Sequence, residues 1–143
     1  MTKRILCAVD INGPDGETSI LDQAANLAEL MGADLDVITV VPDFGASVVG
    51  AYMQDHDMQT AQDTAKNMLN DFCEKVVGAE KNAKIRHLVA IGSVYAEVLK
   101  AAKLAGTDLI VIGANRPDLK DFLLGPNAAR VVRHSECSVY VMR

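Results

Sequence analysis

An α/β fold is predicted, a doubly wound five-stranded parallel sheet with helices on both faces, and three observations carry it. Apolar runs bounded by turn residues alternate with stretches of helical spacing from one end of the chain to the other. One run, Leu109 to Gly113, is unbroken Leu-Ile-Val-Ile-Gly. A strand without polar alternation is buried on both faces, which is the habit of parallel sheets. Half of the 143 residues are apolar but only 4% are aromatic, so the core is aliphatic, as in layered α/β folds.

Lys3 to Asp10 reads as strand one, apolar from Ile5 to Val9. Glu17 to Met31 is helix one, because Ile20, Ala24, Leu27, Ala28 and Met31 recur at steps of three and four. Gly32 ends it as a C-cap. Asp34 to Val41 is strand two, stopped by Pro42. Asp43 to Asp55 is a long loop whose Phe44, Val48, Val49, Tyr52 and Met53 pack under the domain or meet a partner. Helix two runs from about Asp57 to Val77. Its stripe is Ala61, Ala65, Met68, Leu69, Phe72 and Val76, and Gly78 closes it. Ile85 to Ile91 is strand three, Tyr95 to Leu104 helix three with Val98, Leu99 and Ala102 inward, and Gly106 its cap. After strand four, Leu109 to Gly113, come Leu123-Leu124, Gly125-Pro126-Asn127, a helix to His134, and the terminal strand Ser138 to Met142. Strands alternating with helices require right-handed crossovers, hence one sheet of one domain, residues 1–143, with a switch point beside strand one.

Composition narrows the function classes. The formal charge of −5 leaves no basic stripe for nucleic acid. No run is long and apolar enough to span a membrane, and strand one begins too soon for a signal peptide to precede it. Cys7, Cys73 and Cys137 have no CxxC spacing, which is the pattern of a reduced, cytoplasmic protein. His56, His87 and His134 are scattered. Asp55-His56-Asp57 is read as a solvated run and not as a metal site.

Two places carry chemistry. Asp10 lies at the carboxyl end of strand one, where open parallel sheets bind ligands. The alternative is an aspartate that only caps turn N–H groups. The second place is Gly125-Pro126-Asn127. Glycine lets a ligand approach the backbone, and proline suits the first helical turn. The N–H groups from Asn127 onward would face an anion with the positive end of the helix dipole behind them. Arg116 could add a charged bond to phosphate. Read alone, the same residues also make an ordinary helix start with Arg116 in water.

Taken together, ILCAVD at 5–10, Val41, Gly92-Ser93, DLIVIG at 108–113 and LLGPNAARVVRHSECSVYVMR at 123–143 resemble the universal stress protein (UspA) family over the full length. The resemblance implies the strand order 3-2-1-4-5 and ATP binding through a G-x2-G-x9-G-[S/T] pattern. Gly113 matches its first glycine and Gly125 its last, one position short of the pattern. The middle glycine is missing and Pro126 replaces the Ser or Thr. The loop Asn115-Arg116-Pro117-Asp118 is similar to that of the enterobacterial F and G branch. Pro126 supplies neither hydroxyl nor N–H, which should weaken or alter binding.

Carried over by position, the resemblance places adenine between Ala8, Val9, Asp10 and Val41. It places ribose and phosphates along Gly113, Asn115, Arg116, Gly125, Pro126 and Asn127. The ligand is ATP, with ADP or AMP as variants and Mg possible with the triphosphate. Asp118, the only acid close to the phosphate loop, is read as capping a turn. The chain is therefore not read as an enzyme beyond slow hydrolysis. The expected protein is a cytoplasmic regulator with an unidentified protein partner, a homodimer through Ser138 to Arg143. The alternative is a dimeric interaction module that binds no nucleotide. A phosphorelay receiver would need paired acids after strand one and an acid after strand three. Asp10 is followed by Ile11-Asn12, and Ile91 by Gly92.

Overall fold

In the computed structural model, residues 3–11, 16–41, 55–114 and 126–143 are described. The strands are β1 (Arg4–Ala8), β2 (Asp34–Val41), β3 (Arg86–Ile91), β4 (Leu109–Gly113) and β5 (Ser138–Met142). They form one parallel sheet of order β3-β2-β1-β4-β5. The helices are α1 (Gly16–Met31), α2 (Asp55–Val77), α3 (Ala79–Asn82), α4 (Val94–Ala105) and α5 (Pro126–His134). The expected architecture and strand order are both found.

The unbroken apolar runs are explained by two cores, one on each face. Ile5, Cys7, Val37 and Val111 pack against α1 and α2 through Leu21, Ala24, Leu69 and Cys73. Leu6, Ala8, Ile38 and Ile110 pack on the other face against Val98 and Ala102 of α4 and Ala128 and Val131 of α5. Successive residues of β1 thus serve opposite cores, so neither can be polar. Arg130 stands over the Tyr95 ring, 4.9 Å from its centroid, and ties α5 to α4.

The differences from expectation are local. β1 ends at Ala8 and not at Asp10, because only Val9 still donates to β2, to the Ile38 carbonyl at 2.9 Å. Helix two begins two residues earlier than expected, at Asp55. Its inward row is Ala65, Leu69 and Cys73, at steps of four, which leaves Met68 at the edge of the stripe and 42% exposed. Gly78 does end α2, at φ 91°, but a one-turn helix, α3, follows it where a plain connection was expected.

α3 is held by a polar chain that periodicity does not reveal. The buried Asn82 donates Nδ2 to Asn70 Oδ1 at 2.9 Å, and its Oδ1 lies 2.7 Å from His87 Nε2. An amide oxygen only accepts, so His87 carries its proton on Nε2. Burial, with Lys66 adding, lowers the His87 pKa from the ordinary 6.5. The unfolded chain therefore binds the proton more readily. This site's contribution to stability is full above the unfolded pKa and is lost as pH falls from there through the folded pKa. Urea midpoints should drop between neutral and mildly acidic pH, and His87→Asn should flatten that part of the slope. Equal slopes in both proteins would refute the assignment.

A second polar feature lies at the amino end of the sheet. Asp36 is fully buried. Its Oδ1 accepts from Arg4 Nη1 at 2.8 Å and Arg86 Nε at 3.1 Å, and its Oδ2 from Arg86 Nη2 at 2.8 Å. One carboxylate thus links β1, β2 and β3 on the α4 face.

Candidate functional site

β1 is bonded to β2 on one side and to β4 on the other. The chain leaves β1 towards β2 through α1 on one face, and β4 towards β5 through α5 on the opposite face. The carboxyl ends of β1 and β4 therefore flank the point where the winding reverses, and such a point opens a crevice. Ala8, Val9 and Asp10 lie at one lip, Gly113 and Ala114 at the other.

Each lip is held by the fold. The Asp10 N–H donates to Glu17 Oε2 at 3.2 Å, so the first turn of α1 fixes the end of β1. The Ala114 N–H donates to the Met142 carbonyl at 2.7 Å, which fixes the end of β4 to β5. A Cβ on Gly113 would collide with Ile20 Cδ1 of α1. A side chain there would push the end of Ile20 aside, so the constraint at Gly113 is contact with α1 and not an unusual backbone angle. Val41 ends β2, and its carbonyl accepts from the Gly92 N–H at 3.0 Å.

α5 runs back from the carboxyl end of β4 to the amino end of β5, so its first turn is at the crevice end of the sheet. Ala128 is 2% exposed and belongs to the same core as Ala8, Ile112 and Ala114. The exposed Pro126 and half-buried Asn127 immediately precede Ala128, on the face of the sheet that carries Ala8 and Ala114. Pro126 lacks a donor, and the N–H groups of the following residues form the positive helix end. The expected site residues Ala8, Val9, Asp10, Gly113, Pro126 and Asn127 thus gather at one end of the sheet, with Val41 beyond β1. Asn115, Arg116 and Gly125 lie outside the described residues, as do Asp118, Leu123-Leu124 and the 42–54 segment.

Sequence reasoning missed Glu17 and Ala114. The signal for Glu17 was an acid in the first turn of the helix after strand one. Ala114 carried no signal, since its part is a backbone bond. Among the described residues no cluster of His, Cys, Asp or Glu is arranged to hold a metal. Cys7 and Cys73 are fully buried free thiols, and burial pushes the Cys73 pKa up to about 12. No described helix is long and apolar enough to cross a membrane.

The profile of the Universal stress protein family matches residues 1–143. The chain belongs to that family. Universal stress protein G of Shigella flexneri is 28% identical over 152 residues, covering 100% of both chains. Universal stress protein YxiE of Bacillus subtilis is 30% identical over 152 residues, with the same full coverage. Among solved structures, the universal stress protein of Archaeoglobus fulgidus in complex with dAMP is similar in fold, with a TM-score of 0.65. It is 21% identical, over 99% of this chain and 98% of that one. This universal stress protein therefore shares its whole length with the family, and universal stress protein G is among its relatives.

Proposed function

We propose that this chain is a cytoplasmic ATP-binding regulatory protein of the stress response that works as a homodimer. The observation that carries the nucleotide reading is the burial of Ala128, in the first turn of α5, in the same core as Ala8 and Ala114 at the carboxyl ends of β1 and β4. A helix N-terminus stabilises phosphate. The nucleotide held by the Archaeoglobus relative supports the ligand class. Adenine would lie by Ala8, Val9, Asp10 and Val41. Ribose and phosphates would follow Gly113, Asn115, Arg116, Gly125, Pro126 and Asn127. ADP and AMP would share the site, and Mg would accompany the triphosphate. Binding and signalling to a protein partner is the role, with slow hydrolysis as the most that turnover would amount to.

Mass analysis of nucleotide released from the purified protein should find an adenine nucleotide. Titration calorimetry should show ATP binding that AMP displaces. Arg116→Ala should weaken ATP by about tenfold or more, a charged hydrogen bond being worth roughly 1.5–3 kcal/mol, and leave adenosine nearly unchanged. No heat with ATP would favour the second reading, a dimeric module without nucleotide. Pro126, which removes a donor from the phosphate side, is the observation on its side.

The dimer reading rests on β5. It is an edge strand whose Val139, Val141 and Met142 are half-buried and whose Tyr140 is 38% exposed. The Met142 carbonyl is bonded to β4. Backbone groups alternate sides along a strand, so Val141 turns its N–H and carbonyl to the open edge. Antiparallel pairing of two β5 edges about a two-fold axis would satisfy both. Val141→Pro deletes an edge-facing donor and leaves the β4 ladder whole. Light scattering should find the wild type dimeric and this variant monomeric. A monomeric wild type at micromolar concentration would end the idea.

A further inference from the structure

The two helical layers carry opposite charge. α1 contains Glu17, Asp22 and Glu29 and no base. On α2 the exposed Asp63, Asp71 and Glu74 outnumber Lys66 and Lys75. On the other face α5 contains Arg130 and Arg133 and no acid, and α4 adds the exposed Lys100 and Lys103. The one acid of those two helices, Glu97, is half-buried against Gly92. In a chain of net charge −5, this basic face is a segregation of charge and not a consequence of composition.

Each face also shows one leucine that is almost fully exposed. Leu104 is 80% exposed and follows Lys103 on α4. It borders a groove of about 310 Å³ with Leu88, Ala90 and Ala101, because α4 packs over β2 and β1 and leaves the outer side of β3 uncovered. On the acidic face Leu30 is 83% exposed and follows Glu29 on α1. The groove is lined by Arg86 and Lys100 with Glu97 as its one acid, and Glu29 beside Leu30 pairs with Lys81 at 3.5 Å. The complementarity in charge is therefore that of the two helical layers as wholes, and the complementarity in polarity that of groove and leucine.

We propose that the α4–α5 face is a docking surface for the acidic α1–α2 face of a second copy of this chain, with Leu30 of one copy seated beside Leu104 of the other. The contact is heterologous, so every docked copy leaves one groove and one ridge open and growth continues with concentration. It uses neither β5 nor the nucleotide crevice and does not depend on either. At about 0.1 M salt charges are screened over about 10 Å, so a docked copy meets chiefly the facing layer, where Lys100, Lys103, Arg130 and Arg133 outnumber Glu97, and not the acids of the far layer; at about 1 M the length is about 3 Å.

The test is sedimentation velocity of the full chain at those two salt concentrations. The species at high salt is the baseline, and the weight-average mass should at least double at low salt and rise further with protein concentration. Lys100→Glu with Lys103→Glu should hold the mass at the baseline. Asp22→Lys with Glu29→Lys should do the same. Mixing the two doubly substituted proteins joins an acidic groove to a basic ridge and a basic groove to an acidic ridge. The mixture should regain the low-salt growth, which also shows that both variants are folded. Equal masses at both salt concentrations, growth that survives either reversal, or a mixture that stays at the baseline would overturn the proposal.

Discussion

Asp36→Ala should destabilise the fold by about 3–5 kcal/mol, the range for removing one partner of a buried ion pair. Asp36 has no exposure, and it is the acceptor for guanidinium groups of both Arg4 and Arg86. Without it Arg4, whose side chain is 28% exposed, and Arg86, 52% exposed, lose their shared acceptor at the amino ends of β1 and β3. Arg4 keeps only a second, longer bond, to Asp34 at 3.4 Å, where the acid is 58% exposed. The loss belongs to the uncompensated charges and not to the pairing as such. Replacing all three residues together, as Arg4→Met, Asp36→Leu and Arg86→Met, should therefore restore most of the stability. Urea denaturation of the wild type, single and triple variants measures both effects. A single variant within about 1 kcal/mol of wild type would show that water already solvates the cluster.

Gly113→Ala should cost about 1–3 kcal/mol, the usual range for overpacking a filled site. The new methyl meets Ile20 Cδ1, and Ile20 is 7% exposed, so it has little room to move aside. The cost appears at the crevice as well, because Ile20 lies on the helix whose Glu17 holds the Asp10 N–H. Ile20→Val should relieve the collision, since it removes the offending methyl. The two substitutions should then be less harmful together than the sum of each alone. A double-mutant cycle read by urea denaturation decides it. Strict additivity would mean that α1 shifts away from β4 instead.

Much of this architecture was legible in the chain. Leu109 to Gly113 announced a doubly buried strand because both neighbours of a parallel strand demand apolar surface. Gly32, Gly78 and Gly106 marked helix ends that the structure confirms with positive φ at each. The crevice lips followed from strand ends. What stayed hidden was pairing across distance. Asp36 looks like any polar residue in a strand, and its partners Arg4 and Arg86 lie 32 and 50 positions away. The Asn82 to His87 bond and the one turn of α3 depend on which side of α2 returns to the sheet, which no local period encodes. The Ala114 to Met142 bond is backbone to backbone and has no side-chain signature at all.

The strand order also sets a timetable for synthesis. β1 is emitted before the other four strands, yet one of its two neighbours is β4, whose first residue is Leu109. Between them lie β2 and β3, which complete only half of the sheet. At translation rates of about 5–20 residues per second, roughly 100 residues represent about 5–20 s. Over that interval the edge of Ile5 to Ala8 lacks its second partner, and the cores on both faces are incomplete. The nascent chain thus presents an unpaired aliphatic strand, one of the hazards of slow parallel pairing. Protection of β1 amides during synthesis should arise in two steps, the second only when β4 has left the ribosome.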